Sequence, residues 1–191
     1  MPRWQPGARE RLQATTLELF AEQGFEATTV AEIASRAGLT ERTFFRYFSD
    51  KREVLFAGQD VFEGMFVDHI VAAAPDDEPF TVVTRAVRAV ATDFFPAERR
   101  SFSQQRQTII DAHPGLQERE LLKLAHLTTA MADALHERGT PEPLAKLSAE
   151  FGLTVFRVAF ARWVDGSEGD DMAAIVDDVL ADLRGLTATP H

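Results

Sequence analysis

At 191 residues, 45% hydrophobic and 26% charged, the chain is long enough to bury a core in one or two domains and too apolar to be disordered. It has no cysteine, which excludes disulfides, thiolate metal sites and thiol catalysis, and no apolar run of transmembrane length. Its start, MPRWQPGARERL, lacks the apolar core of a signal peptide, so the expectation is a cytoplasmic protein with no membrane partner.

In chain order, residues 8–23 form the first helix, with Leu12, Thr16, Leu19 and Phe20 on one face and Gly24 as its stop. Residues 28–48 then read TTVAEIASRAGLTERTFFRYF. Thr29 is an N-cap and Glu32, three residues on, completes a capping box. Val30, Ile33, Ala34 and Ala37 recur at helical spacing. Gly38 supplies the positive φ of a sharp turn and Leu39 plugs the corner. Thr40 opens a short helix, Glu41 to Phe48. Phe44 and Phe48 share its buried face, while Arg42, Thr43, Arg46 and Tyr47 lie off it. A short helix anchored on its back by aromatics and facing outward with Arg, Thr and Tyr suits major-groove reading.

Asp50 to Glu53 reads as a second capping box that opens a long helix to about Ala73. Pro75 to Pro79 is a loop, and Pro79 starts a helix to Phe95 that Pro96 breaks. Helices follow over about 97–111 and 116–138. Thr140 with Pro141 caps a helix over 141–164. After a turn at Gly166 to Gly169, the last helix covers 170–184 and closes at Gly185. No segment alternates with period two, so the fold class is all-α with about nine helices and no sheet.

The string from Leu19-Phe20 through Gly24-Phe25, Thr29-Val30, Ile33-Ala34, Ala37-Gly38, Thr43, the FRYF run ending at Phe48, Lys51 and Leu55 resembles the DNA-binding domain of TetR-type transcriptional regulators over residues 8–57. The resemblance implies an N-terminal three-helix helix-turn-helix domain over 6–66. A helical effector-binding and dimerisation domain would occupy 67–191. It also implies a homodimeric repressor released from a palindromic operator by a small molecule. The partners are then double-stranded DNA, a second copy of the chain and a small, largely apolar effector, with no cofactor.

Carried over position by position, the DNA-binding set is Thr29, Thr40, Glu41, Arg42, Thr43, Phe45, Arg46, Tyr47 and Lys51. Thr43 matches the threonine whose hydroxyl contacts DNA, and Arg46 and Tyr47 match positions that touch backbone or bases. Lys51 matches the lysine that grips a phosphate together with a helix amide end. Arg42 can pair with guanine in bidentate fashion. Glu41 either accepts from cytosine or favours the helix N-terminus. This chain departs from the family at Arg42, where small residues are frequent, and at Phe45, which replaces a tyrosine and loses its hydroxyl. Arg3 and Arg9 sit on an arm that either reaches DNA or frays.

The net charge of −10 is uneven. Residues 1–55 hold eight basic and eight acidic residues, and the remainder 12 and 22. Phosphate contact needs only a local positive surface, here Arg42, Arg46, Lys51 and Arg52. The acidic body would be repelled by DNA.

In the body, FGLTVFRVAFARWV is apolar around most of a helix, so it must bury more than one face. It is either a central core helix or a helix shared between its own core and a second subunit. The resemblance implies the second, with Phe151, Val155, Phe156, Phe160, Trp163, Val176, Val179 and Leu183 at a four-helix interface. Such a dimer sets two reading heads about one DNA turn, roughly 34–36 Å, apart. For an effector pocket, the fifteen Phe supply apolar lining. Phe62, Phe66, Phe94, Phe95, Phe102 and Met131 are candidates, with core packing as the competing role and Arg106, His126 and Asp93 as possible polar partners.

No phosphate-binding Gly loop, zinc motif or nucleophile elbow occurs, and the five His are scattered, so neither an enzyme nor a metal site is expected. The competing function is a protein-interaction module that keeps the helix-turn-helix scaffold without specific DNA binding.

Overall fold

The computed structural model describes residues 7–167 and 169–187, and the described residues form helices without strands. In order these are α1 (Ala8–Gln23), α2 (Val30–Arg36), α3 (Glu41–Tyr47), α4 (Gln59–Ala72), α5 (Pro79–Phe94), α6 (Arg100–Asp111), α7 (Pro114–Glu137), α8 (Glu142–Asp165) and α9 (Met172–Thr187). Short 3-10 turns occupy Glu53–Phe56 and Ala97–Arg99. The expected all-α class and helix count therefore hold. Arg3 and Glu168 lie outside the described residues.

The chain separates into two compact units, Met1–Gly58 with Gln105–Glu120, and Gln59–Gln104 with Leu121–His191. The first unit thus takes in a late segment that no sequence pattern marked. Its core is Leu12, Leu19, Ile33, Ala34, Phe44, Phe48 and Val54. The Thr29 box forms in full. The Thr29 hydroxyl accepts from the Glu32 amide, and Glu32 Oε2 accepts from the Thr29 amide at 2.8 Å. The Thr29 amide and hydroxyl hold the Glu32 carboxyl below the usual carboxylate range. Gly38 turns at φ +68°, which a side chain would strain.

The long helix expected from Lys51 to Ala73 is not continuous. Asp50 does cap it, accepting from the amides of Arg52 (2.8 Å) and Glu53 (3.0 Å). Only a 3-10 turn follows. Ala57 is extended and Gly58 has φ +88°, so the backbone breaks before α4 begins at Gln59. The late segment packs back on this turn. Arg106 donates to the Leu55 carbonyl at 2.7 Å and to Glu120 at 2.9 Å, and Arg119 pairs with Glu53. His113 lies 4.9 Å from the Phe25 ring. Arg106, proposed from the sequence as a ligand partner, is committed to this internal clamp. Burial pushes its guanidinium below the ordinary arginine value, with Glu120 opposing that shift.

The second unit packs α4, α5, α8, α9 and the latter part of α7 around one core. On α5, Val82, Val83, Ala86, Val87, Val90 and Ala91 form a wide buried stripe of small and branched residues. Gly152 lets α8 approach it closely, since a Cβ there would meet Val83 Cγ1 at 2.1 Å. Arg138 closes the end of α4 by donating to the carbonyls of Ala73 and Ala74, each at 2.6 Å. Two expected boundaries move. α9 runs to Thr187 rather than stopping at Gly185, and α8 starts at Glu142 without a side-chain cap.

Candidate nucleic-acid interface

α3 is held from behind and presented in front. Phe44 is fully buried and Phe48 nearly so, with their rings 5.6 Å apart. Thr40 caps the helix by accepting from the Thr43 amide at 3.2 Å, and the two hydroxyls meet at 3.0 Å. Glu41, Arg42, Phe45, Arg46 and Tyr47 are exposed, and Thr43 is half-buried. The face thus combines two arginines, a hydroxyl cluster and two aromatic rings that water, not protein, covers. Phe45 is 54% exposed, so an apolar ring stands half open on this face, 5.5 Å from the Phe44 ring.

Arg46 is pre-set. Its guanidinium donates to the Tyr47 hydroxyl at 2.9 Å and lies 4.8 Å from that ring. Such stacking narrows the rotamers of a long side chain before it meets a partner. Neither Arg42 nor Arg46 has a carboxylate partner among the described residues. The other basic groups of the head are engaged differently. Arg36 forms a two-pronged pair with Glu22 at 3.1 and 2.9 Å, and Arg52 pairs with Asp50 at 2.8 Å. Arg9 lies 5.9 Å from the Phe48 ring. Two positive charges without a carboxylate partner thus stand on α3, with Arg9 of α1 against the back of the same aromatic pair.

Lys51, expected at a phosphate, is engaged within the chain. Its ammonium donates to the carbonyls of Phe25 (2.7 Å), Thr28 (2.9 Å) and Glu26 (3.2 Å), and sits 4.5 Å from the Phe25 ring. All three donors are used. The amide end that was to share the phosphate is already filled by Asp50. In this structure Lys51 is a staple between the α1–α2 turn and the segment after α3. Lys51→Met is expected to lower the melting temperature, because it strands three carbonyls around an apolar chain. The slope of log affinity against log salt should stay unchanged. Thermal melting and a salt titration of DNA binding check both.

The proposed interface residues of the body divide. Val155, Phe156, Trp163, Val176 and Val179 are buried within their own chain, and Phe160 and Leu183 pack against the same core. Those residues already have a partner inside the chain. Of the expected set only Phe151 is exposed. The uncovered apolar stripe on α8 is instead Leu144, Leu147, Phe151 and Val158, at 44, 54, 36 and 39% exposure. Their spacing of three, four and seven puts them on one helical face. Helix periodicity marks α8 as apolar all round but cannot say which face the chain's own α5 and α9 take.

The proposed pocket residues also sort. Phe62, Phe66, Phe95 and Met131 are buried in the core of this unit, with Phe94 half-buried at its edge. Phe62 touches Phe66, Phe94, Phe95 and Phe156 at ring separations of 5.1 to 5.9 Å. Phe102 is half-buried beside Arg99. His126 and Asp93 are exposed. No helix is long and apolar enough to cross a membrane among the described residues.

Residues 12–57 match the family described as bacterial regulatory proteins, tetR family, and residues 77–187, more than half of the chain, match the MftR C-terminal domain. The transcriptional regulator TcmR of Streptomyces glaucescens is 35% identical over 82 residues, 43% of this chain and 36% of that protein. The regulator YerO of Bacillus subtilis (strain 168) is 32% identical over 89 residues, 45% of this chain and 31% of that protein. The matched stretch thus spans about a third of these relatives' length. Among solved structures, the fatty acid degradation regulator FadR of Bacillus halodurans superposes with a TM-score of 0.64 at 19% identity, covering 98% of this chain and 100% of that one. FadR of Bacillus subtilis, solved with stearoyl-CoA, gives 0.61 at 17% identity over 91% and 96%.

Proposed function

We propose, since this chain belongs to the tetR family of bacterial regulatory proteins, that it is a ligand-responsive transcriptional regulator acting as a homodimeric repressor on a palindromic operator. The observation that carries DNA reading is α3. Arg42 and Arg46 have no carboxylate partner among the described residues, on a helix fixed from behind by Phe44 and Phe48. A short, rigid, positively charged helix is a geometry that enters the major groove. Thr29, Thr40 and Thr43 supply hydroxyls to phosphate, Tyr47 orients Arg46, and Phe45 offers its ring to sugar or a thymine methyl. Glu41 remains a candidate acceptor for cytosine. Lys51 acts through the staple rather than by touching DNA.

The body supplies the remaining parts. The uncovered α8 stripe seats a second copy, which fixes the separation of the two heads. The aromatic core of the second unit receives a small, largely apolar effector. FadR of Bacillus subtilis was solved with stearoyl-CoA, a molecule with a long apolar chain, which supports an apolar effector here. Release requires only that the effector bind the operator-free arrangement better than the bound one. The protein acts in the cytoplasm and catalyses nothing.

Arg46→Ala is expected to weaken operator binding and to reduce the salt slope by about 1, because one phosphate contact is lost. Arg42→Ala is expected to relax preference at one base pair by about 1–3 kcal/mol. Fluorescence anisotropy on operator and single-base variants measures both. If neither change moves affinity or slope, the helix does not read DNA and the interaction-module reading replaces this one.

A further inference from the structure

Arg100 opens α6, and its side chain is only 6% exposed. Its Nε, Nη1 and Nη2 are all buried without a hydrogen-bond partner. The nearest carboxylate oxygen, Asp170 Oδ2, is 3.9 Å from Nη1, too far for a hydrogen bond. That oxygen already accepts from the Ser167 amide at 2.7 Å, and the Asp170 side chain is 42% exposed. A guanidinium cannot shed its proton, so this charge stays and carries the cost of leaving water. Among the described residues Arg100 is the only cation buried in this state.

Its surroundings are aromatic. The guanidinium carbon lies 6.0 Å from the Trp163 ring, whose neighbours are Phe95 at 5.6 Å and Phe160 at 6.2 Å. The Gly166 backbone packs close beside it, since a Cβ there would clash with Asp170 Oδ2 and stand 3.1 Å from Nη2. A buried fork of donors without hydrogen bonds, against an aromatic wall, matches a molecule with an oxyanion on an apolar body.

We propose that Arg100 is the anion-binding residue of the effector site and that the effector is an amphipathic monocarboxylate. This rests on the reading of the second unit as the effector-binding part. The carboxylate accepts from the Arg100 fork, and the apolar body lies on Phe95, Phe160 and Trp163.

The test uses the full-length protein and matched pairs of probes: hexanoate, dodecanoate, benzoate and 1-naphthoate, each against the alcohol with the same body. Calorimetry and thermal melting read binding. At least one carboxylate is expected to bind roughly tenfold or more tightly than its alcohol. Arg100→Met should erase that preference, and Arg100→Lys, which keeps the charge, should retain part of it. Without ligand, Arg100→Met should melt at or above the wild type, because it removes a buried charge that makes no hydrogen bond and has only a distant, half-exposed carboxylate. Three results would each overturn the proposal: no carboxylate outperforms its alcohol, the preference survives Arg100→Met, or ligand-free Arg100→Met melts well below the wild type. The last would make Arg100 an internal partner of Asp170. Wild-type operator binding is measured alongside. Its absence would count against the regulator reading and leave the carboxylate preference a separate result.

Discussion

Phe44→Ala is expected to abolish operator binding and unfold the head while the body keeps its helices. Phe44 is fully buried between α2 and α3 and closes the small core with Leu12, Ile33 and Phe48. Removing a buried phenyl ring costs about 3–5 kcal/mol. A domain of this size holds about 5–15 kcal/mol in all, so the loss is a large part of it. Circular dichroism should show an early, partial loss of helix, followed by the main transition of the second unit. Phe45→Ala is the matched control. Its ring is 54% exposed, so the stability cost should be small and any loss should appear in DNA affinity alone. Equal destabilisation by the two changes would mean that α3 is not seated as described.

The paired change Leu147→Glu with Phe151→Glu is expected to convert the dimer to a monomer with an intact fold. Both residues are exposed on the α8 stripe, so neither substitution puts a charge into the chain's own core. Two carboxylates on each copy would face each other across the two-fold axis, unpaired and out of water. With one head per particle the second half-site no longer binds intramolecularly. Operator affinity should fall on the order of 10²-fold or more. Light scattering gives the mass, and anisotropy gives the affinity. Val155→Glu or Val176→Glu should behave differently, since both residues are buried in their own chain and the charge would unfold it.

What the sequence made legible follows the range of the interactions. The capping box at Thr29, the cap at Thr40, the turn at Gly38 and the aromatic back of α3 are all local, settled within a few residues, and all are present. Nine helices could be counted because Gly and Pro mark their ends. The misreadings involve contacts distant in sequence. Lys51 sits beside an apparent helix start, yet its partners are carbonyls 23 to 26 positions earlier. The 50–73 segment has helical periodicity throughout, and only Gly58 betrays the break before α4. Arg106, read as a possible polar partner of an effector, and Arg119, which carries no signal, are brought against Leu55 and Glu53 only by the fold. Amphipathicity ranks the faces of α8 poorly, because Gly152 and small residues, alongside Phe156 and Trp163, make up the face turned to the chain's own core. Arg100 gives no signal in the sequence. Its isolation comes entirely from what the fold leaves away from it.

The separation of charge has a functional consequence. The acidic excess lies in residues 56–191. Arg42 and Arg46, which have no carboxylate partner among the described residues, stand together on α3. On the reading proposed above, DNA contact would centre on α3 of each copy, and two copies would engage for tight binding. Specific affinity should then depend steeply on salt and on the symmetry of the site together.

The most direct test of this account is selection of bound fragments from the source genome by the purified protein, followed by titration of the best fragment at two salt concentrations. The account predicts enrichment of an inverted repeat whose half-sites are about one helical turn apart, bound tightly and with steep salt dependence. Weak, sequence-blind binding with no enriched repeat, from protein stripped of any bound effector, would contradict it.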